Sequence, residues 1–121
     1  RIRRRAENIS SFDIEAAVAD FPGVKECVAV GVPSGYENDD DILVYIVTTE
    51  DAVVEPPALL SFLARALPHF MVPRYIEIID ELPRTPTNKV KKKQLSQRGI
   101  QTSTWDRKGA GVSLKELISQ R

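Results

Sequence analysis

Two apolar runs rich in β-branched residues constrain the fold more than anything else in this chain: Cys27-Val28-Ala29-Val30-Gly31-Val32, and Ile42-Leu43-Val44-Tyr45-Ile46-Val47-Thr48. Neither alternates apolar with polar, as a half-solvated strand would, so both read as strands covered on both faces. Pro33-Ser34-Gly35 ends the first run, and the loop that follows carries Tyr36 with the acidic group Glu37, Asp39, Asp40 and Asp41. That loop is short enough to join neighbouring strands, and the acidic group reads as a solvated tip that discourages edge pairing.

Helical periodicity flanks these strands. Ser10 reads as an N-cap with Asp13 as its capping-box partner, Ile9 and Ile14 are spaced as a hydrophobic staple, and Ile14, Ala17, Val18 and Phe21 form an apolar stripe stopped by Pro22-Gly23. Pro56 and Pro57 fit a first helical turn, followed by a stripe of Leu59, Leu60, Leu63, Ala66 and Leu67 that ends at Pro68. Residues 74–80 predict a third strand, with Ile76 and Ile78 on one face and Tyr75 and Ile79 on the other. Pro83 and Pro86 then force an extended, non-helical path, which puts Lys89 on a loop. Residues 92–98 predict a short basic helix closed by Gly99, and the polar, Gly-spaced stretch through Gly111 reads as a linker or surface loop. Ser113-x-x-Glu116 with Leu114, Leu117 and Ile118 predicts a last short helix. The expected fold is α+β, two-layer, with a small sheet of at least three strands flanked by helices.

Composition narrows the function. At 121 residues, 42% apolar and 28% charged, the chain has the length and balance of one globular domain. Its longest apolar stretches are six residues, against the ~20 of a membrane helix, so no membrane span is expected. One Cys and one His leave no internal disulfide and no expected protein metal site. A cytoplasmic, reducing setting follows as the expectation. His69, between Pro68 and Phe70, reads as a packed or surface residue, and Cys27 as core. Lys+Arg and Asp+Glu are 17 each, yet the charges are segregated. Arg1, Arg3, Arg4 and Arg5 crowd one end, and Arg84, Lys89, Lys91, Lys92 and Lys93 form a second basic run. There is no Walker-type loop, no dinucleotide fingerprint, no His-Glu-x-x-His and no serine elbow.

Two segments carry a specific resemblance. Arg1-Ile2-Arg3-Arg4-Arg5-Ala6-Glu7-Asn8-Ile9-Ser10, running into Asp13-Ile14-Glu15, resembles the hinge-proximal motif of the adenylate-forming enzymes, approximately I-K-x-x-G-E-x-I-x-x-x-E-I-E. Pro83-Arg84-Thr85-Pro86-Thr87-Asn88-Lys89-Val90 resembles the final motif of that superfamily, P-x-T-x-x-G-K-V. Residues 24–34 and 70–76 also match the intervening pattern. The superfamily contains acyl- and aryl-CoA synthetases, peptide-synthetase adenylation domains and luciferases, and the resemblance covers roughly residues 1–98.

The resemblance implies that residues 1–98 form the C-terminal lid domain of an ATP-dependent carboxylic acid–CoA ligase, most like the fatty-acid and carnitine-type ligases. Residues 99–121 would add a polar loop and short helix, as part of the same domain or a tail. The non-Met start then follows if the chain begins just past the hinge, with the ATP loop, the acid pocket and the magnesium site in an N-terminal domain. Lys89 is implied as the catalytic residue of adenylation, and the Ala6, Glu7 and Asn8 segment as the loop facing the pantetheine arm of CoA. ATP and CoA would be substrates of the full-length enzyme, with none bound by this piece alone. The implied partners are the N-terminal adenylation domain, a carboxylic acid, ATP and CoA, with no nucleic acid. Two family glycines are replaced, by Ala6 and by Asn88. Asn tolerates positive φ better than most residues, so the Lys89 loop is expected to keep its shape. Two other readings stand beside this one: the lid of a peptide-synthetase adenylation domain, and a small nucleic-acid-binding module using the two basic runs. Against the second, no aromatic is interleaved with residues 89–93.

Overall fold

The computed structural model describes residues 2–4, 7–33, 40–68 and 71–107. The expected helix at 113–118, His69, and the loop residues Tyr36, Glu37 and Asp39 lie outside them.

The chain opens with a two-stranded antiparallel hairpin, β1 (Ile2–Arg4) and β2 (Glu7–Ile9), with Ile2 opposite Ile9. Helix α1 (Ser11–Ala19) follows at once. Ser10 caps it as expected, its Oγ accepting from the Asp13 amide at 3.3 Å. Ile9 and Ile14 are buried in the same cluster, so the staple also forms. The two apolar runs become β3 (Val24–Pro33) and β4 (Asp40–Thr48), paired antiparallel. Helix α2 (Pro56–Ala66) starts on its two prolines, β5 (Tyr75–Ile78) returns parallel to β4, and α3 (Lys92–Arg98) closes on Gly99 at φ 64°. With a last short strand, β6 (Trp105–Asp106), the main sheet is mixed, in the order β3-β4-β5-β6.

β4 explains why its sequence is apolar on both faces: every residue from Asp41 to Val47 is buried. On one side Ile42, Val44 and Ile46 pack with Ile14 and Val18 of α1 and Leu59, Leu60 and Leu63 of α2. Each of those three leucines is fully buried, worth ~1.5–3 kcal/mol relative to an exposed side chain. On the other side Leu43, Tyr45 and Val47 pack with Val28, Val30, Leu82 and Leu95 of α3. The expected α+β sheet with flanking helices is therefore present.

Four details differ from the sequence reading. Residues 105–106, read as loop, form β6 (Trp105–Asp106), antiparallel to β5. This short strand has no periodicity of its own and is recruited by the open edge of β5. Ala66 is exposed, and Ala64 takes the buried position on α2. The third strand, expected over 74–80, spans only Tyr75–Ile78, and its last residue, Ile78, is 45% exposed. Asp41 belongs to no solvated tip: it is buried at the start of β4, with Arg74 Nη1 3.1 Å from its Oδ2. The Arg74 fork also grips Asp106 at 2.9 and 3.1 Å, joining the starts of β4 and β5 to β6.

Candidate functional site

Lys89 stands at the end of a tight hairpin, not on a merely extended connector. Leu82 is buried and anchors the approach. Arg84 and Val90 form an isolated antiparallel bridge, the Lys91 amide donates to the Pro83 carbonyl at 2.9 Å, and the Thr85 amide donates to the Lys89 carbonyl at 2.8 Å. The chain reverses over Pro86, Thr87 and Asn88, with the Asn88 amide donating to the Thr85 carbonyl at 2.8 Å. Pro86 occupies the second turn position, where its fixed φ is favoured. Asn88, at the place of the family glycine, takes φ 68°, the left-handed conformation that Asn enters more readily than other side-chain-bearing residues. The ring of hydrogen bonds leaves the Lys89 side chain exposed at the hairpin's far end.

Past the hairpin the chain is fastened to the outer edge of β3. Lys92 Nζ lies 2.9 Å from Glu15 Oε2 on α1 and donates to Ser11 Oγ at 3.2 Å. Glu15 Oε2 also accepts the Ala29 amide at 2.9 Å, and Ser96 Oγ donates to the Gly31 carbonyl at 2.5 Å. Side chains of α1 and α3 thus satisfy edge groups of β3 that would otherwise invite another strand. A Cβ added at Gly31 would meet the Asp40 side chain, 2.9 Å from its Oδ2 and 3.2 Å from its Cβ, so that side chain would have to shift. Between these groups lies an open recess of about 260 Å³ bordered by Ser11, Lys92, Lys93 and Ser96. A larger one of about 600 Å³, bordered by Ile79, Leu95 and Arg98, lies beyond the hairpin stem and does not include Lys89.

Under α3 sits a buried polar network. Glu77 Oε2 is 2.7 Å from Arg98 Nη2, and Glu77 accepts from Thr104 Oγ1 at 2.5 Å. Arg98 also lies over the Tyr45 ring and donates to its hydroxyl at 3.3 Å. Burial pushes the Glu77 carboxyl up, but the Arg98 and Thr104 hydrogen bonds and the Arg98 charge outweigh it and hold it below its ordinary value. Cys27 packs against the core with its thiol donating to the Glu15 carbonyl at 3.3 Å. Burial first, then the Glu15 charge, pushes that thiol up to about 11, which makes it a poor nucleophile.

The other expected site residues fall at the opposite end of the sequence. Glu7 and Asn8 are on β2, paired with Arg4 and Arg3, and Ala6 lies outside the described residues together with Arg1 and Arg5. Because α1 follows β2 directly and Lys92 binds α1, both resemblance-bearing segments attach to the same helix. Sequence reasoning missed Glu15, Thr85, Arg84 and Lys92 as supports. Three of these lie in the quoted motifs, but a supporting role depends on partners far away in the chain. Among the described residues no group of His, Cys, Asp and Glu could hold a metal ion, and no helix is long and apolar enough to cross a membrane.

Residues 13–89, ending on the lysine, match the model of the AMP-binding enzyme C-terminal domain. The peroxisomal trans-cinnamate:CoA ligase of Petunia hybrida is 33% identical over 91 residues, 75% of this chain and 16% of that protein. A linear gramicidin synthase of Brevibacillus parabrevis is 35% identical over 112 residues, 93% of this chain and 2% of that protein. Among solved structures, apo MatB from Rhodopseudomonas palustris superposes with a TM-score of 0.76 at 26% identity, over 80% of this chain and 19% of that one. The chain thus spans a small part of the length of each of these proteins.

Proposed function

This chain belongs to the AMP-binding enzyme C-terminal domain family, and we infer that it is the lid of a larger ATP-dependent carboxylic acid–CoA ligase. The observation that carries the reading is Lys89, exposed at the tip of a hairpin whose every support leaves the ammonium free to enter a neighbouring active site.

In the first half-reaction a carboxylate oxygen attacks the α-phosphorus of ATP, the new P–O bond forms and pyrophosphate leaves. Two anions must approach, and negative charge spreads over the phosphoryl oxygens in the transition state. The Lys89 ammonium, placed between them, offsets that repulsion. At ~4 Å and an effective dielectric of ~20 one such charge pair is worth about 4 kcal/mol, or roughly three decades in rate if realised only in the transition state. In the second half-reaction the thiol of CoA attacks the acyl carbon and AMP leaves. The lid turns on its hinge, Lys89 withdraws, and the segment of Ala6, Glu7 and Asn8 faces the pantetheine arm. Magnesium would accompany ATP in the N-terminal domain; among the described residues of this chain no group of His, Cys, Asp and Glu could hold a metal ion. A cytoplasmic setting belongs to the same proposal.

The test is Lys89→Ala in the full-length enzyme. Acid-dependent ATP–pyrophosphate exchange should be lost, and CoA-ester formation from supplied acyl-adenylate should be largely kept. Equal loss of both steps refutes the division of labour. The basic stretch of residues 1–5 and the sequence Glu7-Asn8-Ile9-Ser10 favour the fatty-acid and carnitine-type ligases over luciferases.

The gramicidin synthase match, which extends over 93% of the chain, favours a second reading, in which the acceptor thiol sits on a carrier protein. Acyl transfer to a phosphopantetheinylated carrier domain in preference to free CoA would select it.

A further inference from the structure

The peptide unit leading into Lys89 is held at both polar ends by side chains. The Asn88 carbonyl accepts from Arg84 Nη1 at 3.2 Å, and the Lys89 amide donates to Thr85 Oγ1 at 3.1 Å. Arg84 uses its other terminal nitrogen, Nη2, to pair with Glu26. Glu26 sits where the register of β3 against β4 shifts, between Val24 and Glu26. One guanidinium therefore connects the sheet to the peptide plane whose orientation sets the direction of the Lys89 Cα–Cβ bond. Asn88 carries φ 68°, and such a conformation persists where its surroundings hold it.

We propose that Arg84 is a positioning residue for Lys89: braced on Glu26, it fixes the Asn88–Lys89 peptide and so aims the ammonium during adenylation. This rests on the reading of Lys89 given above and deepens it. The backbone hydrogen bonds of Thr85 and Lys91 close the hairpin without Arg84, so its loss falls on aim more than on folding. Arg84 and Glu26 side chains are 30% and 35% exposed, and a pair that open to solvent adds little to stability. Only a planar fork reaches both partners at once; a lysine reaches one.

The experiment measures both half-reactions in the full-length enzyme for Arg84→Met, Arg84→Lys and Lys89→Ala, with thermal melting alongside. Arg84→Met should lower kcat of ATP–pyrophosphate exchange by about tenfold to a hundredfold, the range for a catalytic group displaced by up to roughly 1 Å. KM for acid and ATP, the thioester step from supplied adenylate and the melting temperature should hold, and Arg84→Lys should recover part of the loss. Unchanged exchange in Arg84→Met, with Lys89→Ala inactive, overturns the positioning role alone. Equal loss in both half-reactions, or a fall in melting temperature that accounts for the loss, overturns it as well. If Lys89→Ala keeps exchange, the reading of Lys89 falls and this inference falls with it.

Discussion

Lys92 Nζ lies 2.9 Å from Glu15 Oε2, which ties the chain just past the Lys89 hairpin to the helix that follows directly on the β1–β2 hairpin. The two resemblance-bearing segments, at opposite ends of the sequence, are thereby attached to one helix. A domain that moves one segment in as the other moves out needs such a connection, because slack between them would uncouple the two movements.

The two partners of this pair differ in importance. Glu15 also satisfies the Ala29 amide, whereas Lys92 is 46% exposed. Lys92→Met should cost about 0.2–1 kcal/mol. Glu15→Ala should cost more, about 1–3 kcal/mol, since it leaves the Ala29 amide without its acceptor. Urea unfolding of the single and double variants measures both costs, and a larger loss for Lys92→Met than for Glu15→Ala would contradict the geometry.

Asn88 offers a direct check on backbone strain. Glycine enters its φ of 68° freely, whereas a β-branched residue does so at a cost of about 1–2 kcal/mol. Asn88→Gly should keep stability and adenylation at or above the original level. Asn88→Val should lower ATP–pyrophosphate exchange while leaving the thioester step intact.

The hinge-proximal motif that residues 1–15 resemble carries glycine where Ala6 stands. Ala6→Gly in the full-length enzyme should leave adenylation unchanged within about twofold and keep or improve thioester formation, as read by single-turnover kinetics of each step. A fall in adenylation would count against the assignment of this segment to CoA.

Glu77 makes stability depend on acid pH. Its folded pKa lies below the ordinary value of 4.5 because Arg98 and Thr104 favour the carboxylate more than burial opposes it. Above 4.5 the carboxylate is ionised in both folded and unfolded chains, and the network contributes its full stabilisation. As pH falls from 4.5 toward the folded pKa, the unfolded chain binds the proton first and that stabilisation is lost. Melting temperatures measured from pH 7 down to about pH 3 should therefore drop, and Glu77→Gln should flatten part of the drop while lowering stability at pH 7. A Glu77→Gln profile parallel to the original would show that this network does not contribute to the slope.

Much of the local structure was legible because its signals are short-range. Ser10 as a cap, Ile9 against Ile14, the prolines opening α2 and Gly99 closing α3 follow from propensity and spacing within a few residues. The double-sided burial of β4 was legible too, because a strand packed on both faces must be apolar at every position. Asp41 and Trp105 were not. A buried aspartate is tolerable when it is paired, and Arg74, just before β5, is one such partner; the two-residue strand forms along the edge that β5 leaves open.

The same division holds for the candidate site. By itself the sequence determined the identity of Lys89, its place on a proline-bounded loop and its likeness to a known family, since each of these is a property of adjacent residues. Tertiary structure alone decided that the loop closes as a hairpin pinned by Arg84 to Glu26, and that Lys92 fastens it to Glu15. These contacts join residues far apart in the chain. Their formation depends on how the sheet and helices pack, which no local pattern encodes.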